Sequence, residues 1–195
     1  MSEDNKKILF SEPKAFMELL RQRRSVRQFE PRPIEPDKVD LLKEAVLRSP
    51  SSRNLDPWAF VFVQDKALLK ALSEAKPHGA AFLKDAALGV VICGDESVSD
   101  VWIEDCSIAS ILTQCAAQSL GLGSCWIQIR RRQRPDGTPA EDYIRTVLQL
   151  PSHLHVESII AVGYPARQPE PIPRSQLKDD RICCDQWGND TAKGE

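Results

Sequence analysis

The sequence predicts one domain in which helices pack on a central β-sheet, of the α/β or α+β class. Segments with the helical spacing of apolar residues alternate along the chain with short runs of β-branched and aromatic residues. The chain has 195 residues, of which 42% are hydrophobic and 28% are charged, and this composition suits a domain with a full core. No internal repeat or linker is visible, so we treat residues 1–195 as one domain whose extended tail begins at about residue 165.

Five segments have the pattern of helices. The first should start at Ser11-Glu12-Pro13, which is typical of a helix N-terminus, and run to about Arg23. The second should begin at Pro36, and Pro50 stops it. The longest is expected over residues 100–120, and because it is apolar or small nearly all round beyond its first two turns, it should be buried on most sides. The two remaining helices are predicted at 66–76 and 141–150.

Four short apolar runs predict strands. The second of them is continuously apolar, as expected of a strand that is covered on both faces. Gly121 and Gly123 should end the long helix before the third strand begins. The proline-rich tail has little periodicity, and a tail of this length is either disordered or wraps a partner subunit. The strands are predicted at 58–63, 87–93, 124–129 and 156–165.

Composition and charge exclude several classes of protein. The formal net charge of -2 and the pI of about 6.0 give no overall field that attracts nucleic acid or a membrane surface. The first ten residues contain acids and no apolar core, so they are not a secretory signal, and no window offers 18 apolar residues for a membrane span. The six cysteines show neither C-x-x-C spacing nor a nearby histidine pair. We therefore expect a reduced cytoplasmic protein without a bound metal.

The stretch RQRRSVRQF at 21–29 places four arginines in seven positions. One interpretation is that the cations cap the negative end of the first helix. The other is that the chain becomes extended near Arg23, which would put Arg23, Ser25 and Arg27 on one side, with neighbours about 7 Å apart. Two guanidinium forks and a hydroxyl in such a row suit a phosphate and a second anionic group beyond it.

Two further stretches have both a structural and a ligand-binding interpretation. SPSSRNLDPWAF at 49–60 is a turn-rich link, but its short polar side chains and backbone N–H groups also suit a polar ring system. Trp58 in this stretch is expected in the core. The glycines of GLGSCWIQI at 121–129 either cap the helix or let the backbone pass close to a flat ligand.

The remaining candidates for chemistry are weaker. The basic run IRRRQR at 129–134 is interpreted as a solvated loop, with a phosphate contact or nucleic-acid surface as the alternative. His78, His153 and His155 are expected in loops, and a redox role for Cys183-Cys184 is a minor alternative to a structural one. Because no nucleophile or acid–base set stands out, a cofactor is expected to carry any chemistry.

The order RRSVRQF, SPSSRNLDPW, LGLGSCWI and VGYPA…PIPR resembles the FMN-dependent nitroreductase family in its short form, over roughly residues 16 to 174. The resemblance implies an α+β fold with a central, mostly antiparallel sheet flanked by helices. It also implies a homodimer with two FMN sites at the subunit interface, in which the long helix is the main dimer element and the C-terminal tail wraps the partner subunit.

The resemblance assigns roles to individual residues. Arg23, Arg24 and Ser25 match the motif that holds the FMN phosphate and ribityl chain, and Arg27 matches a cation near the flavin pyrimidine edge. The loop that reaches FMN from the partner subunit is matched by Pro50, Ser51, Ser52 and Asn54. The segment along the isoalloxazine is matched by Trp126, Ile127 and Gln128, and a late basic residue that returns to the phosphate is matched by Arg174. Asp56 departs from the family pattern, which usually has glutamine there.

The function that the resemblance implies is ping-pong electron transfer. NADH or NADPH would reduce FMN, and a nitroaromatic, quinone or similar small acceptor would then take the electrons, with Arg27 supporting the reduced flavin electrostatically and no protein residue acting as general acid. Reductive dehalogenation, enone reduction and flavin breakdown are alternatives on the same fold, and a flavin-binding protein without turnover is an alternative of another class. Neither the acceptor nor the choice between NADH and NADPH follows from the sequence.

Overall fold

Four antiparallel strands form the central sheet, in the order β1-β2-β4-β3. The structure is a computed structural model and describes residues 14–188 of the chain. Each strand lies within two residues of its predicted position at both ends. The antiparallel pairing agrees with the α+β fold that the family resemblance implies. The strands are β1 Trp58–Val63, β2 Leu88–Asp95, β3 Gly123–Gln128 and β4 Leu154–Gly163.

All five predicted helices are present, with shifts of one to three residues at most of their described ends. The predicted start of the first helix at Ser11-Glu12-Pro13 lies outside the described residues. The third helix ends earlier than predicted because its last turn tightens, with the N–H groups of Glu74 and Ala75 each bonding three residues back. The helices are α1 Ala15–Gln22, α2 Pro36–Leu47, α3 Lys66–Ser73, α4 Trp102–Ser119 and α5 Ala140–Leu148.

The helices cover both faces of the sheet. α2 and α4 pack on one face, where Leu42 and Ile160 are fully buried, and α3 and α5 pack on the other, where Leu72 and Ile144 are fully buried. β2 is buried from Leu88 to Gly94, so its apolar run is covered on both faces as predicted. The side chains that alternate along the strands thus supply two hydrophobic layers, one on each face of the sheet.

Two expectations about side chains need correction. His155 lies in β4 rather than in a loop, with its ring centroid 5.7 Å from that of Trp102. Trp58 is only half-buried at the start of β1, where it stacks on Phe60 with a centroid separation of 5.3 Å. Trp58 still packs against the α2/α4 layer, although it is not a fully buried core residue.

α4 is not buried all round in the single chain. Ile108 and Ile111 are 38% and 42% exposed, because no element of the described chain covers that side of the helix. α1 also exposes apolar side chains, among them Phe16 and Met17. From residue 166 to residue 188 the tail is irregular chain with two short 3₁₀ turns and is mostly exposed. α4 is thus buried on most sides, as expected, and one stripe that contains Ile108 and Ile111 stays exposed within one chain.

Candidate functional site

The arginine-rich stretch leaves α1 and runs as an extended segment beside the sheet. Arg23 is the C-cap residue of α1. Its N–H still donates to the carbonyl of Leu19, but its backbone angles are already those of an extended chain. The N–H of Val26 donates to the carbonyl of Ser124 at 2.9 Å, and Ser25 forms a parallel bridge with Ser124. Further along, the N–H of Glu30 donates to the carbonyl of Tyr164 at 2.8 Å. The segment is thereby fixed to the beginning of β3 and the end of β4.

Val26 and Gly123 set the register of this segment. The Val26 side chain is buried directly over Gly123, and a Cβ on Gly123 would lie 2.8 Å from the Val26 Cβ. That separation is shorter than any normal contact, so packing against Val26 already requires glycine at this position. Gly121, in contrast, has φ of +73° directly after α4, which is the helix-ending role that the sequence predicts.

With Val26 pointing inward, the residues on either side of it gather around Cys125 on β3. Burial raises the pKa of the Cys125 thiol, and this effect is opposed by the charge of Arg27, by a hydrogen bond with Ser25, and by the charges of Lys76 and Arg23. The row of Arg23, Ser25 and Arg27 thus lies along the first half of β3. Positive charge is therefore concentrated beside the backbone of β3.

Lys76 belongs to this cluster although the sequence pattern did not single it out. It follows the end of α3 and is half-buried, and both burial and the nearby charge of Arg132 lower the pKa of its ammonium group. A lysine just beyond a helix end has no distinguishing local pattern. Only the packing of α3 against the sheet shows that Lys76 lies near Cys125.

Arg21 pairs with Glu18 at 3.3 Å, but Arg23 and Arg27 are not neutralised by neighbouring acids. Arg23 makes only a long 3.5 Å contact with the side-chain oxygen of Gln114, and the Arg27 guanidinium lies 5.9 Å from the Phe82 ring. Within residues 14–188, neither arginine forms an ion pair with a carboxylate. Arginines without acidic partners are suited to bind an anionic ligand.

Arg24 and Arg174 lie on the other side of the segment, next to the tail. The Arg24 guanidinium donates to the backbone carbonyl of Glu170 and so turns away from Cys125. Arg174 pairs with Asp179 through nitrogen–oxygen distances of 2.8 and 2.9 Å. A groove between α1 and the tail is lined by both Arg23 and Arg174, so these two predicted phosphate ligands face the same space.

The loop that contains Pro50, Ser51, Ser52 and Asn54 is anchored to the beginning of α4. The N–H of Ser52 donates to Asp105 Oδ1 at 2.9 Å, and Ser99 Oγ donates to the second carboxylate oxygen at 3.3 Å. Asp105 is only 3% exposed. A buried carboxylate therefore holds the backbone of the loop, a role that the sequence did not reveal.

Asp56 forms hydrogen bonds within the same loop. Ser51 Oγ donates to the Asp56 carboxylate at 2.6 Å, and the N–H of Asp56 donates back to Ser51 Oγ at 2.9 Å. Asn54 and Asp56 both have positive φ, of 55° and 49°, a conformation that these residue types tolerate best among non-glycine residues. The acid that departs from the family pattern thus stabilises the turn.

The structure does not bring this loop and the arginine-rich segment together within one chain. Ser52 contacts α4 at Asp105, whereas Arg23 approaches α4 at Gln114, nine residues further along. At 1.5 Å per residue, the two contacts lie about 14 Å apart along the helix axis.

The remaining predicted site residues lie on β3. Trp126 and Gln128 are half-buried on one face, where Trp126 Nε1 donates to the Gln128 side-chain oxygen at 3.0 Å and the Gln128 amide donates to the Arg130 carbonyl at 3.1 Å. Ile127 points to the opposite face and is fully buried in the core. Ile127 is therefore restricted to backbone contacts with a ligand.

Residues 14–188 contain no group of three or more metal-ligating side chains. Over the same range, none of the helices combines the length and the apolar character that a membrane span requires.

Comparison with known proteins identifies the family. The model of the Nitroreductase family matches residues 20–91 and 74–164, which together make up more than half of the chain. The chain belongs to the nitroreductase family, in agreement with the ordered motifs of its sequence.

The most informative relatives cover nearly the whole chain. A Methanothermobacter thermautotrophicus protein, provisionally named NADH dehydrogenase/NAD(P)H nitroreductase, is 33% identical over 177 residues, or 88% of this chain and 87% of the relative. An NAD(P)H-dependent FMN reductase of Bacillus subtilis is 28% identical over 80% of this chain and 68% of its own length. A solved FMN-dependent nitroreductase from Clostridium difficile R20291 is 40% identical, with a TM-score of 0.86 over 88% of this chain and 99% of that structure.

Proposed function

We propose that this protein passes electrons from NADH or NADPH through bound FMN to a nitroaromatic, quinone or similar small acceptor, with reductant and acceptor using the same site in turn. As a member of the nitroreductase family, the chain is an NAD(P)H-dependent oxidoreductase with FMN as its cofactor. The observation that best supports the cofactor site is the row of Arg23, Ser25 and Arg27 beside Cys125, which carries positive charge without acidic partners.

The residues present fit the chemical groups of FMN. Arg23 and Ser25 offer a guanidinium fork and a hydroxyl for the phosphate and ribityl chain, and Arg174, which pairs with Asp179, lines the same groove as Arg23. Backbone groups along β3, with the half-buried Trp126 and Gln128, would border the flat ring. Bound FMN supplies the ability to accept a hydride and pass electrons on, so no protein nucleophile is required.

Arg27 and Lys76 would supply positive charge to stabilise the negative charge that bound FMN acquires on reduction. Both lie close enough to Cys125 for their charges to oppose the burial-induced rise of its pKa. Fixed cations near a developing negative charge stabilise it without reorganisation, which makes such groups effective in catalysis. Arg27 therefore acts as electrostatic support, and Lys76 assists it from the other side.

We further propose that the active molecule is a homodimer with the site between chains. The exposed Ile108 and Ile111 on α4, the exposed apolar residues of α1 and the extended tail provide surfaces that a second copy would cover. The 14 Å separation along α4 between the loop contact and the arginine contact supports a site shared by two chains. Pro50, Ser51, Ser52 and Asn54 of one chain would then complete the site of the other, and the tail would wrap the partner.

The electrostatic role is tested by anaerobic stopped-flow reduction of the FMN-loaded protein. Arg27→Ala should slow flavin reduction by NADH or NADPH at least about tenfold, whereas Arg27→Lys, which keeps the charge, should retain most of the rate. Unchanged reduction kinetics in Arg27→Ala would refute this role. An FMN-bound protein that oxidises neither nucleotide with any acceptor would instead be a flavin-binding protein without turnover.

The shared site is tested by mixing two inactive variants. One variant carries Arg23→Ala and Arg27→Ala, and the other carries a loop disrupted by Ser52→Pro. After unfolding and refolding together, a two-chain site should recover about a quarter of the wild-type sites, because half of the dimers are mixed and each mixed dimer has one intact site. No recovery, with both variants folded and dimeric, would show that each site lies within one chain.

The acceptor is identified by comparing product formation with and without oxygen. Reduction of nitroaromatics or quinones under anaerobic conditions supports the proposed reaction. Preferential release of halide, saturation of an enone or oxygen-dependent loss of flavin would assign the protein to one of the related reactions on this fold.

A further inference from the structure

A second cleft lies at the edge of the domain, where β3 ends and α4 and α5 begin. Its volume of about 700 Å³ falls in the range of small-molecule sites. The basic run of the sequence forms one wall and acidic side chains form the other. The lining residues are Glu96, Trp102, Ile103, Arg130, Arg131, Arg132, Gln133, Pro139, Glu141 and His155.

Arg131 and Arg132 provide positive charge that is free for a ligand. Both are exposed, and within residues 14–188 neither forms an ion pair with a carboxylate. Arg130 differs, because its guanidinium lies 5.9 Å from the Trp102 ring and its charge acts on the buried carboxylate of Glu157. The sequence interpretation of a merely solvated loop leaves this clustering of arginines in a cleft unexplained.

The opposite wall offers hydrogen-bond acceptors and apolar surface. His155 lies between two carboxylates, with its ring nitrogens 3.5 Å from Glu96 and 3.8 Å from Glu141. Ile103 and Pro139 add apolar contact area beside them. Guanidinium groups bind phosphates, carboxylates accept hydrogen bonds from ribose hydroxyls, and an apolar wall suits a base, so the cleft combines the groups that a nucleotide needs.

Positively charged side chains connect the cleft with the candidate flavin site. The charge of Arg132 reaches Lys76, and Lys76 in turn lies close to Cys125 beside Arg23 and Arg27. Positive charge therefore extends from the arginine row to the cleft. A dinucleotide whose nicotinamide lies at the flavin could run its two phosphates along this path.

We propose that this cleft binds the adenosine diphosphate part of NADH or NADPH, with Arg131 and Arg132 contacting its phosphates. The inference rests on the proposed function and names the residues that recognise the reductant. It gives the basic run a specific task that neither a solvated loop nor a nucleic-acid surface provides.

The test uses the FMN-loaded protein and two reductants. NADH carries the adenosine diphosphate part, whereas 1-benzyl-1,4-dihydronicotinamide has the same reactive ring without phosphates. The variant Arg131→Asn/Arg132→Gln removes both charges, and asparagine suits the positive φ of 58° at position 131. Lys43→Gln/Arg48→Gln, on exposed positions of α2 and its end, makes the same change in net charge away from the cleft.

We expect the cleft variant to raise KM for NADH at least about tenfold, which corresponds to the loss of one good charge-assisted contact. Its kinetics with the benzyl compound and its FMN affinity should stay unchanged, and the control variant should match the wild type. ADP-ribose should bind the wild-type protein in calorimetry and bind the cleft variant at least about tenfold more weakly.

Unchanged KM for NADH in the cleft variant would overturn the inference, and so would equal losses with both reductants. Binding of a single-stranded RNA without binding of ADP-ribose would overturn it in favour of a nucleic-acid surface. Failure of the proposed function is distinct, because the wild-type protein would then be reduced by neither compound.

Discussion

Asp105 should control both the stability of the protein and its affinity for FMN, although it lies outside the cluster around Cys125. Asp105→Ala removes the acceptor for the Ser52 N–H and leaves Ser99 Oγ, which is itself buried, without that partner. Hydrogen bonds to a charged group contribute about 1.5–3 kcal/mol. Because the Ser99 contact is long at 3.3 Å, we expect the free energy of unfolding to fall by about 3 kcal/mol in total.

The assay combines urea unfolding with titration of FMN, followed by flavin fluorescence. Loosening the loop should weaken FMN binding at least about tenfold, equivalent to about 1.4 kcal/mol of lost preorganisation. Asp105→Asn keeps a side-chain oxygen for Ser52 and should retain most of both properties. Asp100→Ala is the matched control, since Asp100 pairs with Arg53 of the same loop at 2.7 Å but is highly exposed and should matter little.

Two outcomes would refute this reasoning. A free energy of unfolding within about 0.5 kcal/mol of wild type in Asp105→Ala would show that the buried carboxylate does not anchor the loop. Loss of stability with unchanged FMN affinity would show that the loop is anchored as described but takes no part in FMN binding.

Three further predictions follow from the packing and charges. Gly123→Ala should displace Val26, lower the free energy of unfolding by about 1–3 kcal/mol and weaken FMN binding, whereas Gly137→Ala, on an open turn with no atom near the added Cβ, should spare FMN binding. Hydrogen bonding from Tyr164 holds the pKa of Glu35 down to about 2, so its stabilising effect should be complete above about pH 4.5 and disappear as the pH falls towards 2. Melting temperatures of wild type and Glu35→Gln should therefore differ at pH 6 and converge near pH 2, and a constant difference would contradict this. Ile111→Glu should shift the protein from dimer to monomer in light scattering, while Leu47→Glu, a similar change at an exposed position of α2, should not, and a dimeric Ile111→Glu would place the interface elsewhere.

Much of the fold could be predicted because the sheet is covered on both faces. Of the two inner strands, β2 carries a continuous apolar run and β4 carries one over its second half, and such runs mark strand positions to within two residues. The antiparallel order came from the family resemblance, since apolar runs carry no information on strand direction. The burial of α4 on most sides was predicted, but the exposed stripe with Ile108 and Ile111 was not, because an apolar helix face does not reveal whether its own chain or a second copy covers it.

The candidate site was predictable only where its residues are close in sequence. The two-residue period of an extended chain places Arg23, Ser25 and Arg27 together, and the structure shows them beside Cys125. Lys76 and Asp105 reach their positions through the packing of α3 and α4, and no local pattern marks them. Asp105 in particular resembles an ordinary acidic residue in the first turn of a helix.

The most direct test of the account is the visible spectrum of the purified protein, recorded before and after addition of NADH or NADPH without oxygen. The account predicts flavin absorption bands that bleach on addition of the nucleotide, and loss of bound flavin in the variant Arg23→Ala/Arg27→Ala. A folded wild-type protein that is colourless and takes up no added FMN would contradict it, because the arginine-rich segment would then be a structural edge of the sheet and not a cofactor site.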